Sequence, residues 1–315
     1  MRDNPTAVEI GLNAAIVSMT DTVPRLLVTH EAAGEPEGLP YGPFDPTLHR
    51  TMEMSLRDTV ERQTGLSLGY IEQLYTFGDR GRQRIPGEKG PHLVSVGYLA
   101  LTRIDRLSTC EGTTTGARWR DWYEFLPWED WRHGRPAVID AVILPALKRW
   151  AGDMAGRHSR LRLAFGGEDF PFDDERALER YELLYEAALV EEAVYDGRSP
   201  STDLSVPLGI AMRFDHRRIA ATALSRLRAK IKYRPVIFEL MPPNFTLTAL
   251  QSAVEAISGR HLHKQNFRRL VEGAELVEPT GGATAATGGR PAALFRFRRQ
   301  IVDERPAPGL KLGGR

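Results

Sequence analysis

Lys264, Gln265, Asn266, Arg268 and Arg269 crowd into a single short stretch of the sequence. Asparagine and glutamine side chains offer the paired donor and acceptor that match the edge of adenine. Arginine's fork matches guanine, and lysine supplies a point charge suited to phosphate. Grouped this closely, these residue types have the chemistry to read a DNA duplex. Thr246, Thr248 and Arg290 complete the set expected to contact DNA; Arg290 is placed for phosphate or a minor groove.

The surrounding elements must position those groups. Phe267, Leu270 and Val271 give a helix over His263 to Glu272 an inward side, leaving the polar residues on its other faces. Before it, Thr246 is placed to cap a helix in which Leu247, Leu250, Val254 and Ile257 recur at helical spacing. Gly259 sits where that helix needs a left-handed terminal residue. After it come a strand from Leu276 to Thr280, a GGATAATGG tip, and Arg290 to Arg298 with strand-like alternation. Helix, turn, helix and hairpin, in that order, make a winged helix-turn-helix.

Net charge conceals a strong asymmetry. The chain of 315 residues carries only +1, yet residues 207–315 hold 19 Lys and Arg against 8 Asp and Glu, a net of +11, leaving −10 on residues 1–206. Such a division points to one part facing phosphate and another doing something else. Arg213, Arg217, Arg218, Arg226, Arg228, Lys230, Lys232 and Arg234 lie just before the winged helix. Ile219, Leu224, Leu227 and Ile231 between them predict a connecting helix for packing, dimerisation or DNA contact.

A hydrophobic fraction of 42% and five Trp suit an ordered globular protein with room for two domains. One cysteine, Cys110, excludes an intramolecular disulfide framework and a multi-cysteine zinc site, and suits a reducing cytoplasm. The N-terminal MRDNPTAVEIG is not patterned as a signal peptide, and no apolar run approaches the length of a membrane span. A cytoplasmic protein is expected. Phosphate loops, Rossmann fingerprints and nucleophile elbows are absent from the sequence.

The first hundred residues predict strands at Val8 to Met19 and Arg25 to His30, a long Gly/Pro loop, and a helix from Thr51 to Gln63 ending in Thr64-Gly65-Leu66. Further strands fit Ile71 to Phe77 and Leu93 to Leu101. This order resembles the Nudix fold, an α/β/α sandwich, and LYTFGDRGR (Leu74 to Arg82) followed by LVSVGYLAL (Leu93 to Leu101) adds to the likeness. Joined to a winged helix containing FTLTALQ, NFRR and GGRPA, the chain resembles the Nudix-related transcriptional regulators of NAD metabolism, of the NadQ type and close to the NrtR type. The resemblance covers residues 8–105 and 213–298. It implies a homodimeric repressor of NAD-synthesis genes that binds operator DNA and answers to NAD, ATP or ADP-ribose. One departure is His263, where the family often has an acidic residue.

A working Nudix box, G-x5-E-x7-R-E-U-x-E-E-x-G-U, clusters glutamates to hold a divalent metal against pyrophosphate. Alignment on Gly65 and Leu66 puts Phe44 at the first Gly, Arg50 at the first Glu, Asp58-Thr59 at the R-E pair and Arg62-Gln63 at the E-E pair. Only Val60, Gly65 and Leu66 survive, so neither catalysis nor a metal site is expected. A one-residue slip recovers Arg57 and Glu61 but requires an extra residue before Gly65. Arg50, Arg57, Arg62, Phe77, Asp79, Arg80 and Arg82 are the candidates for effector contact, and His49 reads as a loop residue. The alternative is an active pyrophosphohydrolase of ADP-ribose or a related nucleotide, tethered to DNA. A winged helix serving only protein interaction is a third reading.

The expected division is a Nudix-like sensing domain over 1–206, with a helical insertion at about 106–206. A connecting helix over 207–235, the winged helix over 236–300 and a flexible tail over 301–315 follow. Within the insertion, ARWRDWYEFLPWEDWRHGRP (Ala117 to Pro136) holds four Trp and is expected to cover the sheet as a strand and loop. Ala137 to Gly152 and Arg176 to Glu192 have helical spacing.

Overall fold

The computed structural model describes residues 7–30, 35–79, 90–104, 116–167, 170–199, 206–284 and 291–310. Its organising element is a mixed sheet. Strands β1 (Val8–Thr20), β2 (Val23–Val28), β3 (Tyr41–Pro43), β4 (Tyr70–Phe77), β5 (His92–Leu101) and β6 (Arg118–Asp121) run in the order β4-β5-β1-β2-β6, and β3 also pairs with β1. The pairing of β1 with β5 is parallel, from Val8 opposite His92 to Val17 opposite Leu101. The other pairings are antiparallel.

Both faces of this sheet are covered, so its strands read as apolar runs with little alternation. On one face Leu12, Ala14, Ile16, Val96, Tyr98 and Ala100 pack with Leu56 and Val60 of helix α1 (Met52–Thr64). Thr51 caps α1 by accepting from the Met54 amide, and Gly65 ends it with φ 70°, as the Thr-Gly-Leu signal predicts.

The opposite face departs from expectation. Ala15, Val17, Phe77, Leu99 and Leu101 share a core with Ile219, Leu224, Leu227 and Ile231 of the long basic helix. The insertion supplies α2 (Trp122–Phe125), a π-helical turn (Ile139–Ile143) leading into α3 (Leu144–Ala151), then α4 (Ala155–Phe165), α5 (Ala177–Glu186) and α6 (Glu191–Tyr195). The basic helix itself is α7 (His216–Tyr233). It is a packed layer of the sandwich and not a connector, and Arg217 and Arg228 are as buried as its leucines. The Trp-rich segment also differs from expectation: β6 extends the sheet edge, while Trp122 and Trp128 are wholly buried in the core.

The winged helix consists of α8 (Leu247–Ser258), α9 (Lys264–Gly273) and a hairpin of β7 (Val277–Thr284) and β8 (Ala292–Phe297). Its Leu250, Val254, Ile257, Phe267 and Val271 belong to the same core as α5 and α7. Residues 301–310 of the expected tail fold back, with α10 (Ile301–Glu304) first, Ile301 and Leu310 buried and the Leu310 amide bonded to the Ile231 carbonyl at 3.1 Å; 311–315 lie outside the described residues. No helix among the described residues is long and apolar enough to cross a membrane.

Candidate nucleic-acid interface and nucleotide-binding helix

The polar face of α9 is fixed from both ends of α8. The Thr246 hydroxyl accepts from the Ala249 amide at 3.1 Å and starts α8; Gly259, at φ 71°, ends it. The turn to α9 is clamped by Glu255, whose carboxylate accepts from the Leu262 amide at 2.8 Å and from Gln251 at 2.9 Å. In α9, Phe267 and Val271 are buried, while Lys264, Gln265, Asn266, Arg268 and Arg269 are exposed. Arg269 reaches Asn266 Oδ1 at 3.4 Å, and among the described residues Lys264, Arg268 and Arg269 have no acidic partner. His263 occupies the N-cap without a side-chain cap bond, in keeping with its departure from an acidic residue. Thr248 is exposed on α8; Arg290 lies outside the described residues.

The cations of α7 behave differently. Arg217 pairs with Glu192 at 3.2 Å, Arg218 with Asp79, Glu182 and Asp215, and Lys230 with Glu72. Lys232 pairs with Glu175 at 2.5 Å, and Arg228 with Glu129 at 2.6 Å. Much of the positive charge gathered before the winged helix is therefore neutralised by the acidic part of the chain. Among the described residues, Lys264, Arg268 and Arg269 of α9 are exposed and not neutralised in this way.

Sequence reasoning missed the seat of the winged helix. Glu129 is fully buried between Arg180 (2.6 and 2.8 Å) and Arg228 (2.6 Å). Burial pushes its carboxyl up, but the two guanidinium charges outweigh burial, and the net direction is down. Arg228 also donates to the Ile257 carbonyl at 2.9 Å, Tyr123 Oη to the Ala256 carbonyl at 2.7 Å, and the Trp131 amide to the Gly259 carbonyl at 2.6 Å. Burial pushes the Tyr123 phenol up to about 12, so it remains a donor. The C-terminal carbonyls of α8 thus meet a buried cation and fixed donors, which suits the negative end of a helix dipole. No local signal in the sequence pairs Glu129 with residues 51 and 99 positions away.

On α1, the residues that alignment on Gly65 and Leu66 sets against Nudix glutamates are engaged in other bonds. Gln63 clips β3 to the helix, donating to the Tyr41 carbonyl at 2.8 Å and accepting from its amide at 3.2 Å. Arg62 pairs with Asp58 at 3.0 Å and reaches Thr59 Oγ1 at 3.3 Å; His49 sits 3.6 Å from Asp58. Among the effector candidates, Arg50 and Arg62 are exposed on this side of the sheet. Arg57 is bound to Glu53 and to the Leu68 and Gly69 carbonyls. Phe77 is a core residue, 1% exposed, beneath Arg218, and Asp79 pairs with the same arginine. Arg80 and Arg82 lie outside the described residues.

Residues 237–297 match the NrtR DNA-binding winged helix domain family. The chain has the two-part build of a Nudix-related, NrtR-type protein. Over 123 residues it is 36% identical to the ADPR responsive transcriptional repressor NtrR of Acinetobacter baylyi, a stretch covering 39% of this chain and 49% of that protein. The match therefore spans about half the length of the curated relative. The fold is similar to that of Shewanella oneidensis NrtR complexed with a 27mer DNA, at TM-score 0.58 and 19% identity over 93% of this chain and 95% of that one. A MutT/nudix family protein from Enterococcus faecalis is also similar, at TM-score 0.52 and 13% identity over 95% and 89% of the respective chains. At these identities the structures speak for the NrtR-type fold alone, a Nudix-like domain followed by a winged helix.

Proposed function

We propose that this NrtR-type chain is a transcriptional repressor that binds operator DNA as a homodimer, controls genes of NAD biosynthesis and senses ADP-ribose through its Nudix-like domain. The observation that carries the reading is α9: a helix seated on a buried core, presenting Lys264, Gln265, Asn266, Arg268 and Arg269 to solvent without acidic partners among the described residues. Thr246 and Thr248 are proposed as supporting contacts beside it, and Arg290, outside the described residues, as a further one. Of NAD, ATP and ADP-ribose, the last is favoured because the relative from Acinetobacter baylyi is named as responsive to it.

The Nudix-like domain is proposed to bind without hydrolysing. In the alignment on Gly65 and Leu66, Thr59, Arg62 and Gln63 take the places of metal-holding carboxylates, and Arg62 and Gln63 are bonded within the protein. Arg50 and Arg62 are the cations proposed to face the effector's phosphates. A domain that binds without turnover is suited to sensing, provided the effector binds two arrangements of the protein unequally.

The test is a titration of the full chain against DNA from its own genomic neighbourhood. Changing Arg268 and Arg269 to Ala is expected to weaken binding at least roughly tenfold and to flatten the dependence on log salt by about 2. ADP-ribose, NAD and ATP are then added separately; the affinity is expected to move with ADP-ribose, and indifference to all three would sink the sensing reading. Release of AMP from ADP-ribose in the presence of magnesium would instead establish the hydrolase.

A further inference from the structure

Helix α9 starts without the cap that begins α1 and α8. The Thr51 and Thr246 hydroxyls accept from amides in the first turns of those helices, at 3.2 and 3.1 Å. His263, at the corresponding place before α9, makes no side-chain cap bond. An uncapped first turn frays into solvent, because its leading amides have no partners within the helix. Lys264, Gln265 and Asn266 stand on that turn, so fraying there would blur the groups proposed to read bases.

Two side chains of α8 supply the missing restraint from outside. Gln251 and Glu255 are four residues apart and so share one side of α8. Both reach Leu262, the residue directly before His263. Glu255 Oε1 accepts from the Leu262 amide at 2.8 Å, and Gln251 Nε2 donates to the Leu262 carbonyl at 2.9 Å. The pair is also braced within itself, Gln251 Nε2 donating to Glu255 Oε1 at 2.9 Å. The Glu255 side chain is only 13% exposed, so water competes little for its carboxylate. The rest of the turn is pinned as well. The Gly259 carbonyl accepts from the Trp131 amide at 2.6 Å, and Arg260 pairs with Asp174 at 3.3 Å.

We propose that Gln251 and Glu255 are positioning residues for DNA reading: they fix where α9 begins, in place of an N-cap, and so set which base edges Gln265 and Asn266 meet. This rests on the reading of α9 as the DNA-contacting helix, and it assigns the pair no contact with DNA. Phosphate contacts follow charge and carry no sequence information, whereas base contacts depend on angle and register. The clamp therefore governs discrimination between sequences more than general affinity for duplex.

One readout needs no DNA. Hydrogen exchange of full-length Glu255→Ala is expected to run at least roughly tenfold faster at the amides of residues 262–267, with α7 still protected. Glu255→Gln makes the same change of charge but keeps an acceptor for the Leu262 amide, and is expected to retain the protection. His263→Ser added to Glu255→Ala supplies a cap hydroxyl and is expected to restore it. The second readout is the ratio of affinities for DNA from the chain's own genomic neighbourhood and for an unrelated duplex. That ratio is expected to fall about tenfold in Glu255→Ala, to hold in Glu255→Gln and to return with His263→Ser, while the log-salt slope on the unrelated duplex stays put. Gln251→Ala is expected to show both changes more weakly, and it decides the matter if Glu255→Ala does not fold. Unchanged exchange, an unchanged ratio, or no rescue by His263→Ser would overturn the proposal. An unaltered chain with no preference between the duplexes would refute the reading of α9 and the positioning role with it. A preference that survives Glu255→Ala and Gln251→Ala refutes the positioning role alone.

Discussion

His216 shows how much a single buried group can tell about stability. Its Nδ1 accepts from the Leu39 amide at 2.9 Å, so the proton of the neutral ring resides on Nε2. Tyr41 and Phe214 pack edge-on to the ring, at 5.4 and 5.7 Å, and Arg213 lies beside it. Burial first, and the Arg213 charge second, push its pKa down to about 3. The unfolded imidazole takes up a proton near 6.5, which the folded one refuses until about 3. The unfolded state therefore binds more protons in that window, and stability present above it is lost as the pH falls through it. Urea midpoints are expected to drop between pH 7 and pH 5, and His216→Asn to flatten that slope; an undiminished slope would assign the titration to another group. Glu129 poses the complementary case. Glu129→Gln leaves Arg180 and Arg228 buried without the carboxylate they share, and a loss on the order of 3–5 kcal/mol is expected in denaturant unfolding.

Among the elements, those with strong local signals were legible in the sequence. Thr246 and Gly259 bound α8 as their chemistry predicts, and Thr51 and Gly65 do the same for α1. α4 escaped notice because Arg and Ser interrupt its apolar stripe, and β3 because Tyr41–Pro43 has meaning only through its pairing with β1. The role of Gly259 was only half legible. It was expected for its left-handed φ, yet a Cβ there would also stand 2.3 Å from the Glu129 carbonyl oxygen, where α8 docks on the Trp-rich segment. Gly259→Ala is therefore expected to cost about 1–3 kcal/mol and to weaken DNA binding by displacing the turn before α9. Gly273, which ends α9, has open space around its Cα. Gly273→Ala is expected to leave melting temperature and DNA affinity nearly unchanged, and a matching loss in both variants would refute the docking explanation.

Across the whole molecule, the charge asymmetry marks two unlike parts of the sequence, and the fold uses much of it to join them. Positive charge on α7 is spent on Glu72, Glu129, Asp174 and Glu192 of the amino-terminal part, pairings that only the tertiary fold brings together. The same helix supplies Ile219, Leu224 and Leu227 to the sheet, and its Arg228 holds the end of α8. Buried apolar side chains run without a break from Val17 on β1 through Leu224 on α7 to Val254 on α8 and Phe267 on α9. A winged helix on a linker would melt by itself, because few contacts would cross the boundary. One seated on a shared core and a buried Arg–Glu–Arg cluster loses its support when the sandwich unfolds. Calorimetry of the full chain is accordingly expected to show one transition, with calorimetric and van't Hoff enthalpies in agreement. Two resolved transitions would mean that α7 does not couple the parts. With a single transition, an effector bound only by the folded Nudix-like domain raises the melting temperature of the winged helix equally, by an amount set by its concentration relative to Kd. The proposed DNA-reading face of α9 would then respond as part of the same cooperative unit as the proposed nucleotide site.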